Sequence, residues 1–493
     1  MTISTFAYSV LTSIAVVAGI VTPCNADEPR KRPNLLIVTA DDMNADTPGW
    51  MGDKLKVTPK LDAFAATAHR FVNAHVTAPI CQPSRSAFMT GLVPHRSGAL
   101  GFDPVRPGTP TLVTMLKSAG YHTAVIEKHV HMQPEAEFPW DLKLSGGGKN
   151  PPVMRQQVAT SIKAANDARK PFFLNANITD PHRPFPGAAG KNGKPKNPGS
   201  NARTSIEADK EPENAGVPAA PQHVYTSEQM TVPSFLEDIP ALRAELAQYY
   251  TAVGRLDVTF NQIMEALRES GHADDTVVVF MSDHGISMPF AKATVYFNGT
   301  RSPILLRWPG MGEPQTRKEY VSSLDLMPTV LELLAVEAPE VQDGRSLLPL
   351  LRGETQTGRD HVITHVNTVS SGKSFPQRCI RTETASLMFM SWPEGREKFR
   401  VEAMSGEAFK AMLDGAKGSE KVAARVQQLL VGSRLAYYDL KADPDERVNL
   451  ARDPAYKQDV ERLAALLLQH MKRTCDPETD GFIKSLKNHQ LAH

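Results

Sequence analysis

Short apolar runs rich in β-branched residues recur at 34–39 (NLLIVT), 123–126 (TAVI), 172–177 (FFLNAN), 276–281 (TVVVFM) and 302–307 (SPILLR). Runs apolar at successive rather than alternate positions belong to strands covered on both faces. Stretches of helical length separate them. Residues 59–68 and 111–119 have helix-like apolar spacing, and Gly120 fits a helix end. The pattern predicts an α/β fold, a mostly parallel sheet covered by helices. Polar residues follow the strands: Asp41 and Asp42 the first, Lys128 and His131 the second, His182 the third, Asp283 and His284 the fourth. Open α/β sheets bind ligands outside the carboxyl ends of their strands, so four strands would deliver these groups to one place.

The pattern then changes. Residues 186–222 are rich in Pro, Gly, Lys, Asn and Ala without a sustained apolar period, which predicts a long surface excursion. After about residue 343 come separated strands at 361–366 and 379–390, then an amphipathic helix over 456–471 with Val460, Leu463, Leu467 and Met471 on its apolar face. With 493 residues the chain exceeds what one core usually supports, so the expected division is a catalytic domain over 27–342 and a smaller C-terminal α+β domain over 343–493. At the start, residues 6–21 are apolar and uncharged and are followed by Cys24-Asn25-Ala26. Residues 1–26 therefore read as a secretory signal removed on export, too short for a span of about 20 residues. No later stretch could cross a bilayer, and the expected destination is periplasmic, extracellular or a lysosome-like compartment.

Lys and Arg total 55 against 54 for Asp and Glu, so no overall field favours nucleic acid or an anionic membrane. A polyanionic substrate would need a local basic patch. Without the signal, Cys81, Cys379 and Cys475 remain, too few for a disulfide framework. Cys379 and Cys475 either pair or stay free thiols.

Residues 81–85 read C-x-P-S-R and continue as SAFMTG. Around them, in order, stand NLLIVTADD (34–42), a Lys and His cluster at 128, PHRPF (181–185), SDHG (282–285), LDLMPT (324–329), DGRSLLP (343–349) and YDLKADPDE (438–446). This ordered set resembles the type I sulfatase family from about Arg32 onwards. The segments DPHR (180–183), QYYTAVGRLD (248–257) and SDHGI (282–286) look most like its heparan N-sulfatase (sulfamidase) branch.

The resemblance implies an alkaline-phosphatase-like fold and a Cys81 oxidised to formylglycine by a maturation enzyme that reads the segment around it. It also implies one calcium ion, held by Asp41, Asp42, Asp283, His284 and the modified residue 81. Three carboxylates alone would suit calcium or magnesium, although Asp41 and Asp42 could equally be a solvated turn or a helix cap. His284 stands where many sulfatases carry Asn, and imidazole is a less typical ligand of a hard cation. The implied roles are attack on sulfur by the hydrated aldehyde at position 81, with Asp283 as proton acceptor. Arg85 and Lys128 would hold the hydrate and the sulfate, and His182 and Lys292 would bind sulfate oxygens and assist the leaving group. The histidine beside Lys128 is assigned to His131, with His129 as competitor. The expected activity is hydrolysis of sulfate esters or sulfamates on a sulfated sugar or glycosaminoglycan fragment. The alternatives are a phosphonate monoester or phosphodiester hydrolase, since fold alone does not choose sulfur over phosphorus, and a noncatalytic binder of sulfated glycan.

Overall fold

The computed structural model describes residues 1, 32–186, 217–392 and 397–489. The signal read in residues 1–26 and most of the excursion read in 186–222 lie outside them. The strands in chain order are β1 (Asn34–Ala40), β2 (His69–Phe71), β3 (Ala74–His75), β4 (His122–Ile126), β5 (Leu142–Leu144), β6 (Phe172–Ile178), β7 (Thr276–Ser282), β8 (Ile304–Arg307), β9 (Thr316–Arg317), β10 (Val321–Ser322), β11 (His361–Thr368), β12 (Ser374–Thr382), β13 (Ala385–Met390) and β14 (Leu435–Asp439).

Eight strands form the large sheet in the order β5-β4-β6-β1-β7-β8-β2-β9. From β5 to β7 the strands run parallel. β8 runs antiparallel between β7 and β2, and β9 is parallel to β2. The continuous apolar runs have a plain cause. Leu35 and Ile37 of β1 face a core with Phe88, Leu112, Leu116 and Val330, whereas Leu36, Val38 and Ala40 face a second with Leu61, Val158, Ile162 and Phe260. Helices Cys81–Thr90, Leu112–Ser118 and Leu326–Leu333 supply the first set, and Pro59–Ala66, Pro151–Asp167 and Pro240–Glu269 the second. Both faces of β1 are dry, so no position along it can be polar without a partner. The mostly parallel sheet expected from the sequence is present.

The C-terminal sheet is antiparallel, in the order β11-β12-β13-β14. One face carries Ile380, Leu387, Phe389 and Tyr437 against Val460, Leu463, Leu467 and Met471 of helix Lys457–Arg473. The run read as one strand over 379–390 is in fact two. β12 ends at Thr382, whose hydroxyl donates to the Ala385 carbonyl and accepts from the Ala385 N–H, both at 3.1 Å, which turns the chain into β13. Cys379 is a buried free thiol and Cys475 an exposed one, so the two do not pair. Among the described residues no helix is long and apolar enough to cross a membrane.

Candidate active site

Because β4, β6, β1 and β7 are parallel neighbours, their carboxyl ends open on one side, and the residues after them meet there. Asp41 and Asp42 follow β1, Lys128 follows β4, His182 lies in the loop after β6, and Asp283 and His284 follow β7. Two of these positions use left-handed backbone, Asp42 at φ 68° and Lys128 at φ 54°. That costs an L-residue some strain, and it turns the chain sharply where a strand must end and point a charge at its neighbours.

Cys81 is the first residue of helix Cys81–Thr90, and its side chain is buried. Its Sγ lies 3.6 Å from Asp41 Oδ1 and 3.2 Å from His284 Nε2. Arg85, one turn on, is fully buried and fans across three strand ends. It donates to Asp283 Oδ2 at 2.8 Å, Asn177 Oδ1 at 2.5 Å and Thr39 Oγ1 at 3.0 Å. Ser84 Oγ donates to the Asp283 carbonyl at 2.6 Å and fixes the helix to the end of β7.

Two lysines and two histidines stand around this centre. Lys128 Nζ is 2.6 Å from Asp41 Oδ2, and Lys292 Nζ is 3.0 Å from Asp42 Oδ1. Lys292, which composition alone would put on the surface, is buried. Its position is the reverse of that default because Asp42 draws the ammonium inwards. Burial works against the charge on Lys292, but Asp42 and the other acidic neighbours outweigh it and raise its pKa well above the ordinary value. His182 Nδ1 donates to the Arg183 carbonyl at 2.6 Å, since a carbonyl can only accept, and this leaves Nε2 for the site. His131 is buried and feels burial first, then Lys128, Arg85, Asp41 and His182, whereas His129 feels Lys143 and Glu135 beyond its own burial. The structure thus brings His131 towards the other candidates and turns His129 elsewhere.

The charge balance separates the carboxylates. Burial opposes ionisation of Asp41, but Lys128, then His182, Arg85 and Lys292, hold it well below the ordinary range. Asp283 is pushed up by burial and by the charge on Asp41, against His284 and Arg85. Burial also pushes the Cys81 thiol well up; Lys292 opposes this, and Asp41 and Asp283 add to it. Cys81 is thereby held as a thiol, a poor nucleophile in its unmodified form.

Asp41, Cys81, Asp283 and His284 each present a donor atom, all within 4.8 Å of one another, and Asp41, Asp42, Cys81 and His182 form an overlapping set. Carboxylate oxygens converging from two strand ends suit a hard divalent cation. His284 Nδ1 donates to the Gly285 carbonyl at 3.0 Å, so its Nε2 lone pair faces the same place. Gly285 has no room for a side chain there: a Cβ would stand 1.7 Å from the Asn298 carbonyl oxygen. The residues present fit one divalent cation.

Some residues of this centre carry no chemical assignment in the sequence reading. Asn177 and Thr39, which aim Arg85, look from sequence like strand interior. Asp180 and Arg255 stand in the DPHR and QYYTAVGRLD segments, and they form a buried two-point ion pair at 2.6 and 2.9 Å that fastens the His182 loop to helix Pro240–Glu269. Glu402 lies in the C-terminal part of the chain, with Oε2 3.1 Å from Lys292 Nζ and Oε1 3.5 Å from His182 Nε2. No motif surrounds it.

An α/β sheet that gathers buried cations, carboxylates and one helix-borne cysteine at its strand ends is suited to an anionic substrate. Comparison with known proteins narrows this. The sulfatase profile matches residues 33–336, and the profile described as N-sulphoglucosamine sulphohydrolase, C-terminal, matches 283–434. Human N-sulphoglucosamine sulphohydrolase is 30% identical over 91% of this chain and 92% of its own length. An ulvan-active sulfatase of Formosa agariphila is 26% identical over 92% of this chain and 82% of its own. Among solved structures, one in complex with its substrate D-glucosamine-2-N,6-O-disulfate aligns with a TM-score of 0.65 at 19% identity, covering 91% of this chain and 99% of that one. The phosphonate monoester hydrolase of Agrobacterium radiobacter also scores 0.65, at 17% identity over 90% of this chain and 96% of its own, so the shared architecture spans both chemistries. The chain belongs to the sulfatase family, and it is an enzyme of that class.

Proposed function

We propose that this sulfatase hydrolyses a sulfate ester or sulfamate on a sulfated sugar or glycosaminoglycan fragment after export, with position 81 matured to formylglycine and one calcium ion bound. The observation that carries the reading is the Cys81 side chain at a helix N-terminus, within 3.6 Å of Asp41 and 3.2 Å of His284 and ringed by buried cations. Asp41, Asp42, Asp283, His284 and residue 81 would hold the metal. When present, calcium would offset charge on the sulfate oxygens, and formylglycine would supply the nucleophilic hydroxyl.

The remaining chemistry falls to this chain's own groups. Lys128, Lys292 and His182 bind the anionic oxygens, which would otherwise repel a nucleophile. Arg85, fixed by Asp283, Asn177 and Thr39, steadies the side chain of residue 81 and holds Asp283 in place. Asp283 takes the proton given up in the attack. His182 delivers a proton from Nε2 to the departing atom, its other nitrogen being committed to the Arg183 carbonyl. His131 rather than His129 supports Lys128.

The test is mass spectrometry of the Cys81 peptide from protein made in a host that matures such cysteines, with turnover of N-sulfoglucosamine, an aryl sulfate and a phosphodiester by the same sample. Formylglycine with preferred sulfur substrates supports the reading. Unmodified cysteine in active protein, or preferred phosphodiester turnover, overturns it.

A further inference from the structure

Asp41, Asp42 and Asp283 are accounted for by a cation, but Glu402 adds a carboxylate beside the anion-binding groups that stands in neither set of converging donor atoms. It begins the short 3-10 turn Glu402–Ser405, remote in sequence from every strand of the large sheet. Its two oxygens face Lys292 and His182, the groups assigned to the sulfate oxygens and the leaving atom. Its place is deliberately held. Glu245 of the long helix accepts from Arg183 at 2.6 Å and from the Ala408 N–H at 2.6 Å, so one carboxylate clamps the His182 loop and the Glu402 segment together. Arg183 also donates to Ser287 Oγ at 2.8 Å. At Gly406 a Cβ would meet Glu245 Oε1 at 2.4 Å and the Arg183 guanidinium at 2.5 Å, so a side chain there would have to push the ends of this clamp aside.

Exposure sets the direction of the substrate. The side chains of Asp41, Asp283 and Arg85 have no accessible surface and those of Lys128 and Lys292 only 4% and 3%, while His182 keeps 14% and Glu402 21%. The sulfate must go to the buried cations, and the sugar must extend to solvent. The atom that joins them therefore passes His182 and Glu402. In a sulfate ester that atom is an oxygen with lone pairs alone, which a carboxylate repels. In a sulfamate it is a nitrogen carrying a hydrogen, which a carboxylate accepts, and the amine released becomes an ammonium that pairs with it.

We propose that Glu402 is the specificity-determining residue of the site, accepting the N–H of a sulfamate and so selecting N-sulfated amino sugars over O-sulfated ones. This rests on the sulfatase reading above and names the linkage it would serve. Lys292 and His182 keep their sulfate contacts, and Glu402 keeps its negative charge between them.

The experiment compares wild type with Glu402→Gln, both with formylglycine content measured, on N-sulfoglucosamine and on 4-nitrophenyl sulfate. Expected is a fall of roughly 10- to 100-fold in kcat/KM for the sulfamate, the range of one charged hydrogen bond, with a loss on aryl sulfate at least about 10-fold smaller. Equal losses on both substrates would reduce Glu402 to a support for Lys292 and His182, and no loss on either would remove it; both overturn the proposal. A wild type that cleaves the aryl sulfate and not the sulfamate also overturns it while leaving the sulfatase reading intact. Matured wild type that cleaves neither sinks the reading itself. A second measurement needs no variant: glucosamine should inhibit wild-type aryl sulfate turnover at least 10-fold more strongly than N-acetylglucosamine, and equal inhibition counts against the ammonium contact.

Discussion

Arg85 and Cys81 lie one helical turn apart, yet they carry different burdens. Arg85 neutralises Asp283 where neither side chain has any accessible surface. Replacing it with Leu strands a buried carboxylate, and such a loss costs about 3–5 kcal/mol. The expected result is a large drop in the unfolding midpoint together with loss of turnover. Cys81 makes contacts a small apolar side chain can forgo, so Cys81→Ala should abolish turnover while stability, followed by denaturant unfolding, changes by no more than about 1 kcal/mol. Retained activity in this variant would remove position 81 from the chemistry. At this scale the sequence was readable where chemistry clusters in a short motif: Cys81 and Arg85 share one helix turn, and Asp41, Asp42, Asp283 and His284 directly follow apolar runs. Glu402 was not readable, because a lone Glu after Val401 has the statistics of a surface residue and only the tertiary clamp at Glu245 brings it to Lys292.

Among elements, the long buried strands announced themselves by β-branched runs, and β12 and β13 fused into one reading because only two residues part them. β2 and β9, three and two residues long, carry no period that a sequence could show. Helix capping was hidden for a related reason. Helix Pro59–Ala66 gets no side-chain cap from its own Thr58; Asp257, on helix Pro240–Glu269, instead accepts from the Lys60 N–H at 3.1 Å and the Leu61 N–H at 2.8 Å. A cap lent by another helix, nearly two hundred positions away, leaves no local signature. Asp257→Ala should cost about 1–2 kcal/mol, read by denaturant unfolding, with sulfatase turnover per mole of folded enzyme unchanged at a temperature well below the midpoint. A stability change near zero would mean that water serves the helix terminus as well as Asp257 does.

On the scale of the whole molecule, one buried cluster joins distant parts of the chain. His95 from the short helix Pro94–Ser97, His365 from β11 and His470 from helix Lys457–Arg473 gather near Asp476, itself paired with Arg378 at 2.5 Å. Burial lowers the pKa of His95, against the opposing charge of Asp476, and that of His365, with Arg378 adding to both, and burial and then Arg473 bring His470 to about 3. The sign follows from linkage. The unfolded chain takes up these protons near the ordinary value of 6.5 and the folded chain only further down, so their contribution is complete above about 6.5 and is lost as pH falls towards 3. Asp257, pushed up to about 6 by burial against its backbone hydrogen bonds, works in the opposite sense, its protonated form being the one the fold favours. A variant is therefore needed to isolate the histidines. His470→Gln keeps an acceptor for Arg473 and removes the titration, so its unfolding free energy should fall less than that of wild type between pH 7 and pH 5, by on the order of 1–2 kcal/mol. Parallel pH profiles for the two proteins would show that the acid sensitivity lies elsewhere, and a wild type equally stable at both pH values would fit an acidic compartment as readily as a neutral one.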